Sequence, residues 1–482
     1  MVLCFVVLFL QLNNLQVVKA HQYANSQSNP AVQAANYDQP RGVIQSADGV
    51  LLAQSVPAPA GAYKYQRVYP LGSLFGQITG YLSYNYGATG VEASYSSYLT
   101  AHNRPIKTIG DLLTTPVVTD SVTLTLSSSL QRVAQQALGG RDGAVVVLNP
   151  TTGAIRAMYA NPTFDPNPLA VNNSATESAA FKAANTQDPV TKFSPASSLA
   201  FQDIFPPGST FKVVTASAAY EHSPNLVNTP MPFYTCIPPH TFGGQTTQLC
   251  NFGASGCGGT IAAMLPPSCD TGFAILGTRV GAPAMTAQAA NFGFNQQPPL
   301  DLPPSPFELS QFLQPDCYGG AQVFLAFSSI GQKCTLPTPL QMAMVAAGIG
   351  NGGAVMTPHV MFEIHDSQNN LVQRYIPTVW HQAVSAQTAN SLRDLMVRVV
   401  QSGTASVVGF PPQEDVAAKT GTAQVGLGNT LTTDWMIAFA PANNPTVAVA
   451  VAMPHQPRDE TGAVVAGPIV KTMISAALAQ PG

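Results

Sequence analysis

The sequence predicts a mixed α/β (α+β) fold, and three observations carry that expectation. Strand-like segments are joined by hairpin turn signals. The middle of the chain carries apolar residues at helical spacing. The chain then closes on three strand-like segments followed by an apolar helix. A length of 482 residues suggests two to four domains of about 100–200 residues each.

Taken in order, Val2 to Leu10 is a continuous apolar run, softened after Gln11 by Asn13, Asn14 and Gln16. A spanning helix wants about 20 apolar residues, and no Lys or Arg precedes this segment. We expect a membrane anchor over residues 1–20 whose start lies upstream of Met1, with a cleaved signal ending at Val18-Lys19-Ala20 as the alternative. Both export the rest of the chain, and the first makes it a single-pass membrane protein with the remainder outside the cytoplasm. Residues 21 to about 60 are polar, apart from an island from Arg41 to Ala53 in which Asp48-Gly49 reads as a hairpin turn. Val122 to Leu126 alternates like a strand, and Ser127 to Leu138 is an amphipathic helix closed by Gly139-Gly140.

Gly143 to Leu148 and Ala154 to Tyr159 form a hairpin around Asn149-Pro150-Thr151-Thr152-Gly153. The main domain boundary is therefore expected near residue 140, with an N-terminal domain over 21–139 and a larger one over 140–482. Residues 160–205 read as loop. Ser209 to Glu221 is a buried helix with a rigid Pro206-Pro207-Gly208 start, and 228–260 is turns and short strands. Helices are expected at 268–280, 284–292, 338–349 and 384–402. Asp415 to Val425, Asp434 to Ala440 and Thr446 to Met453 are strands, and Pro468 to Leu478 is the closing helix.

Composition narrows the function. Charged residues are 9% of the chain, against about 25% in an average soluble protein. With 20 Lys+Arg, a net charge of −3 and no basic run, nucleic-acid binding lacks an electrostatic footprint. Of seven cysteines, six (Cys236, Cys250, Cys257, Cys269, Cys317 and Cys334) fall in one segment. In an exported chain such a cluster suggests disulfides, with sequence neighbours favoured among about 15 connectivities. No CxxC occurs and no His stands at zinc-ligand spacing, so a metal site is not expected.

The lysines are few enough to search one by one. Only Lys212 has Ser three positions before it, and only Lys419 is followed by Thr-Gly. Positions i and i+3 share a helix face, which sets the Lys212 amine near the Ser209 hydroxyl. Burial disfavours the ammonium, so the amine becomes a proton acceptor. In Lys419-Thr420-Gly421-Thr422, Lys419 and Thr420 suit a carboxylate, while Gly421 lets a substrate backbone approach the strand. Between them lies Ser268-Cys269-Asp270, uninformative alone but weightier in the order S-x-x-K, S-x-D, K-T-G.

That ordered set resembles the motifs of the penicillin-binding proteins and serine β-lactamases. Arg41-Gly42-Val43-Ile44, Gly87-Ala88-Thr89-Gly90-Val91-Glu92, Phe164-Asp165-Pro166-Asn167 and Gly403-Thr404-Ala405 extend the resemblance to class B, monofunctional penicillin-binding proteins of the actinobacterial A type. One departure is Asp270, where the class usually has Asn. The resemblance implies a transpeptidase domain with an antiparallel sheet flanked by helices, standing on an elongated N-terminal pedestal or dimerisation-type domain. It implies a peptidoglycan D,D-transpeptidase in which Ser209 attacks the bond between two terminal D-alanines, Lys212 takes its proton and Ser268 relays it to the leaving amine. Backbone N–H groups of Ser209 and Thr422 would form the oxyanion hole, and Lys419, Thr420 and Thr422 would hold the terminal carboxylate. The acyl transfer so implied needs no organic cofactor. The partners so implied are stem peptides, β-lactams as covalent inhibitors, and a SEDS-family membrane glycosyltransferase.

Two rivals share the serine. A β-lactamase needs a deacylating Glu with Asn four residues on, and neither Glu308, Glu363 nor Glu414 has one. A non-catalytic β-lactam sensor usually carries several spanning segments, and one is visible.

Overall fold

The structure, a computed structural model, describes residues 2–14, 37–58, 63–103, 117–243, 248–303, 309–426 and 430–480. Helix α1 covers Val2–Asn13. Among the described residues no helix is long and apolar enough to cross a membrane. Residues 15–36, which include the rest of the expected anchor, and Glu308 lie outside the described residues.

Strands β1 (Ile44–Gln45), β2 (Leu51–Pro57), β3 (Tyr65–Val68) and β4 (Ser121–Leu124) come first, then helix α2 (Ser128–Leu138). The hairpin β5 (Gly143–Leu148) and β6 (Ile155–Asn161) follows, and after a helical region come β7 (Met361–His365) and β8 (Leu371–Arg374). Strands β9 (Ala417–Val425), β10 (Leu431–Ala440) and β11 (Val447–Pro457) finish the set.

The main sheet has the order β6-β5-β11-β10-β9 and is antiparallel throughout. Its central strands read as near-continuous Ala/Val runs because both faces are covered. Every residue of β5 is buried, as is β11 through its first eight residues. Helix α2 packs on β6 and against the closing helix Gly467–Leu478. Ser127 caps α2 by accepting from Leu130 N–H, and Gly139 ends it in the left-handed conformation.

A second sheet has the order β8-β7-β4-β1-β2-β3. Its two outermost strands on one side come from residues 361–374, while α2, which precedes residue 140, belongs to the packing of the main sheet. The two halves of the chain are thus stitched together across the expected boundary. Inside the N-terminal half, Glu92 accepts from Arg41 Nε and Arg67 Nε, each at 2.6 Å, with all three side chains buried. This ion cluster joins the Arg41 island to the short helix Gly90–Ser94.

The stretch read as loop contains a helix, Ser174–Asn185, capped by Asn173 accepting from Thr176 N–H at 3.0 Å. Its Ala-rich face and short polar cap gave little periodic signal. The cysteines pair as sequence neighbours: Cys236–Cys250, Cys257–Cys269 and Cys317–Cys334.

Candidate active site

Ser209 lies on a 3₁₀ turn, Gly208–Phe211, and the α-helix proper begins at Lys212 and runs to His222. This differs from the single helix expected from Ser209 onward. The reason is local: Gly208 takes φ +51°, and a Cβ there would sit 2.8 Å from the Thr422 carbonyl, so the turn is pressed tightly against β9. A 3₁₀ turn eclipses positions i and i+3, which sets Lys212 Nζ 3.0 Å from Ser209 Oγ. Trp435 Nε1 on β10 donates to Pro206 O at 2.9 Å and fixes the turn from behind.

Ser268 and Asp270 come from the start of the helix Asp270–Val280. Ser268 is held in the left-handed region at φ +62°, and Cys269 beside it is locked to Cys257. Lys212 Nζ donates to Asp270 Oδ1 at 2.7 Å, to Ser268 O at 2.6 Å and to Ser268 Oγ at 3.3 Å. Lys419, on β9, reaches the same hydroxyl: its Nζ lies 2.8 Å from Ser268 Oγ. Both lysines are fully buried. Burial holds the Lys212 amine below its usual range, opposed by the Asp270 carboxylate. Burial and then the nearby Lys212 charge hold Lys419 well below its usual range, again opposed by Asp270. Buried amines in this condition give up protons readily.

β9 is an edge strand of the main sheet, which leaves one side of Lys419–Thr422 free to pair with an extended peptide. Gly421 is required there, because a Cβ would lie 2.5 Å from Pro207 O. Thr420 Oγ1 shares a 2.5 Å hydrogen bond with Thr404 Oγ1. Thr422 Oγ1 accepts from Gly462 N–H at 3.0 Å. A groove of about 1300 Å³ runs past Ser209, Ser268, Asp270 and Thr420–Thr422.

All eight residues singled out from the three motifs therefore meet in one place. Sequence reasoning singled out Gly403-Thr404-Ala405 as an element of the resemblance but gave Thr404 no role in the site, and it missed Gly462 behind Thr422 and Asp434, which faces Thr422 across the strand pair. The last two carry no local signal, since they are set by sheet register and by a loop returning from elsewhere. Among the described residues no group of His, Cys, Asp or Glu could hold a metal ion.

Comparison with known proteins gives a consistent picture. Residues 143–475 match the family described as the penicillin binding protein transpeptidase domain, and residues 41–115 match the penicillin binding protein A dimerisation domain. The chain is 33% identical to the peptidoglycan D,D-transpeptidase PbpA of Mycobacterium tuberculosis, over 98% of this chain and 96% of that one. It is 33% identical to the protein of the same name from Mycolicibacterium smegmatis, over 96% and 94%. The solved structure of penicillin-binding protein A from M. tuberculosis, a penicillin G acyl-enzyme complex, superposes with a TM-score of 0.80 at 32% identity, covering 91% of this chain and 100% of that one.

Proposed function

Because the chain belongs to the penicillin-binding proteins of the PbpA type, we propose that it is a peptidoglycan D,D-transpeptidase, cross-linking stem peptides through a serine acyl-enzyme and trapped by β-lactams. The observation that carries the mechanism is the buried Lys212 amine, 3.0 Å from Ser209 Oγ. In its neutral form that amine takes the hydroxyl proton as Ser209 Oγ bonds to the carbonyl carbon between two terminal D-alanines. The carbonyl oxygen becomes an oxyanion, received by the backbone N–H groups of Ser209 and Thr422. Loss of one such donor typically costs about 10²–10³ in rate.

Collapse of the tetrahedral intermediate breaks the peptide bond. The proton passes from Lys212 through the Ser268 hydroxyl, 3.3 Å away, to the departing D-alanine amine. A neighbouring stem-peptide amine then attacks the ester carbonyl and gives a proton to Lys212, which passes it to Ser209 Oγ as the ester C–O bond breaks. Thr420 lines the groove where the C-terminal carboxylate binds, and its hydroxyl and the buried Lys419 charge next to it suit that carboxylate. Asp270, 2.7 Å from Lys212 Nζ, favours the ammonium form while Lys212 carries the transferred proton within each half-reaction.

The work takes place outside the cytoplasm, a reading supported by the three disulfides and the apolar α1. There the chain acts beside the membrane it is anchored in, with a SEDS-type glycosyltransferase supplying glycan strands. Labelling with a fluorescent penicillin tests the assignment: wild type should gain one adduct by intact mass, and Ser209→Ala none. Release of D-alanine from a pentapeptide, with slow loss of the penicillin adduct, marks a transpeptidase. Rapid adduct hydrolysis would mark a β-lactamase, and an adduct without D-alanine release a sensor.

A further inference from the structure

Lys333 stands in an unusual place. It takes φ +54°, a left-handed conformation that Gly adopts freely and a lysine does not. It is held there from both sides. Two residues before it, Gly331 accepts from Gly208 N–H at 2.9 Å, immediately beside the nucleophile. Gly331 approaches so closely that a Cβ would fall 2.0 Å from Gly208 O. One residue after it, Cys334 is buried and bonded to Cys317. The turn is therefore fixed to the nucleophile at one end and to a disulfide at the other, and Lys333 is its exposed tip.

Lys333 lines the same groove as Ser209, together with Phe327, Ile330 and Gln332. Its Nζ lies 6.0 Å from the centroid of the Phe327 ring. The charge balance of the groove is one-sided. Asp270 is the lining carboxylate, and it is already committed to Lys212 at 2.7 Å. Lys333 and Arg458 also line the groove, and among the described residues neither makes an ion pair. Strained residues persist where the surroundings over-determine them, and they cluster at ligand clamps.

On the reading of the site given above, the C-terminal carboxylate of the donor goes to the Lys419–Thr420 wall. The uncompensated charge of Lys333 in the same groove is then available to a second anion. We propose that Lys333 is a specificity residue that receives a non-terminal carboxylate of the stem peptide, so that the enzyme prefers peptides in which that carboxylate is free over those in which it is amidated. Because the turn is fixed in advance, no loop ordering opposes the contact. The side chain stays solvent-accessible, so the preference is modest and screened by salt.

The test uses two pentapeptides ending in D-Ala-D-Ala that differ only in whether one non-terminal carboxylate is free or amidated, with D-alanine release by the full chain as the readout. Wild type should favour the free peptide by about threefold to tenfold in kcat/KM, carried by KM and largely erased in 1 M salt. Lys333→Gly, which suits the backbone, and Lys333→Gln, which keeps a long polar side chain, should both bring the ratio to within about twofold of unity. Lys333→Glu should invert it. Equal use of the two peptides by a wild-type enzyme that does form the Ser209 penicillin adduct would overturn the inference and leave the site reading standing. So would a preference that survives in all three variants. Absence of the adduct in wild type would overturn the site reading, and the inference with it.

Discussion

Asp434 is fully buried on β10, directly opposite Thr422 on β9. Neither of its carboxyl oxygens has a hydrogen-bond partner among the described residues. Burial pushes its pKa from an ordinary 3.8 up to about 7; the nearby Thr422 and Thr432 hydroxyls draw it down, and the Glu460 charge adds to the rise. The folded state therefore binds a proton that the unfolded chain has lost over much of the range between those two values. The stability this gives is complete below about pH 4 and is lost as pH rises through about 7. A gap of roughly three pH units at about 1.36 kcal/mol each comes to about 4 kcal/mol, a large share of a typical folding free energy of about 5–15 kcal/mol. Asp434→Asn keeps the shape and removes the titration. The variant should match wild type near pH 4 and exceed it by up to about 4 kcal/mol at pH 8. Urea unfolding of both proteins at several pH values, disulfides intact, measures this, and the difference between them cancels every other titrating group. A difference that stays constant from pH 4 to 8 would refute the reasoning.

Three further outcomes are expected. Asp270→Asn removes the carboxylate 2.7 Å from Lys212 that opposes burial, so Lys212 loses its proton at lower pH; the rising limb of penicillin acylation against pH should move acidward, and superimposable profiles would sink the idea. The pair Cys257→Ser with Cys269→Ser opens a loop with a sequence separation of 12 and should cost about 3 kcal/mol in a urea titration, along with acylation rate, because Cys269 sits between Ser268 and Asp270. Gly421→Ala drives a methyl to 2.5 Å from Pro207 O; acylation by penicillin should fall by at least about tenfold, and a variant acylated at the wild-type rate would show that the strand and turn need not meet so closely.

Much of the fold was legible because its signals are local. The β5–β6 hairpin announces itself through Asn149-Pro150-Thr151-Thr152-Gly153, and α2 through its Ser127 cap and Gly139 stop. The later part of β10 and most of β11 show as apolar runs because helices cover them. What was not legible is what depends on distant partners. β7 and β8 joined the N-terminal sheet without any sequence cue, since half of β7 and all of β8 face outward and their register is set by β4. The site shows the same division. Ser209 and Lys212 could be paired from their spacing, and the ordered motifs pointed to Ser268 and Lys419. The contact of both ammonium groups with one Ser268 hydroxyl, and the Gly331 carbonyl behind Gly208, follow only from the assembled fold.

A chain with so few charges uses them in two buried clusters of the same stoichiometry, and the difference between the two separates structure from chemistry. In the N-terminal half, Arg41 and Arg67 enclose Glu92. Burial raises the Glu92 carboxyl but the two guanidiniums outweigh it and hold it below its usual range. A guanidinium does not deprotonate in proteins, and Arg41 also donates to Glu92 O at 2.6 Å and Thr100 Oγ1 at 2.7 Å. That cluster has one protonation state and acts as a fixed joint. In the active site, Lys212 and Lys419 face Asp270, again two cations to one carboxylate, but each cation is an amine that burial pushes toward neutrality. With both lysines charged the cluster carries an uncompensated positive charge in a dry place, which it relieves by releasing a proton or by taking an anion. A serine acyl transfer needs both: a base that is neutral when Ser209 attacks, and a positive wall when the substrate carboxylate arrives. Replacing Lys419 by Arg would preserve the wall while removing the option of neutrality. Such an enzyme should still bind penicillin but be acylated more slowly, because a charge that cannot leave makes protonation of Lys212 costlier and its proton acceptance less favourable during attack.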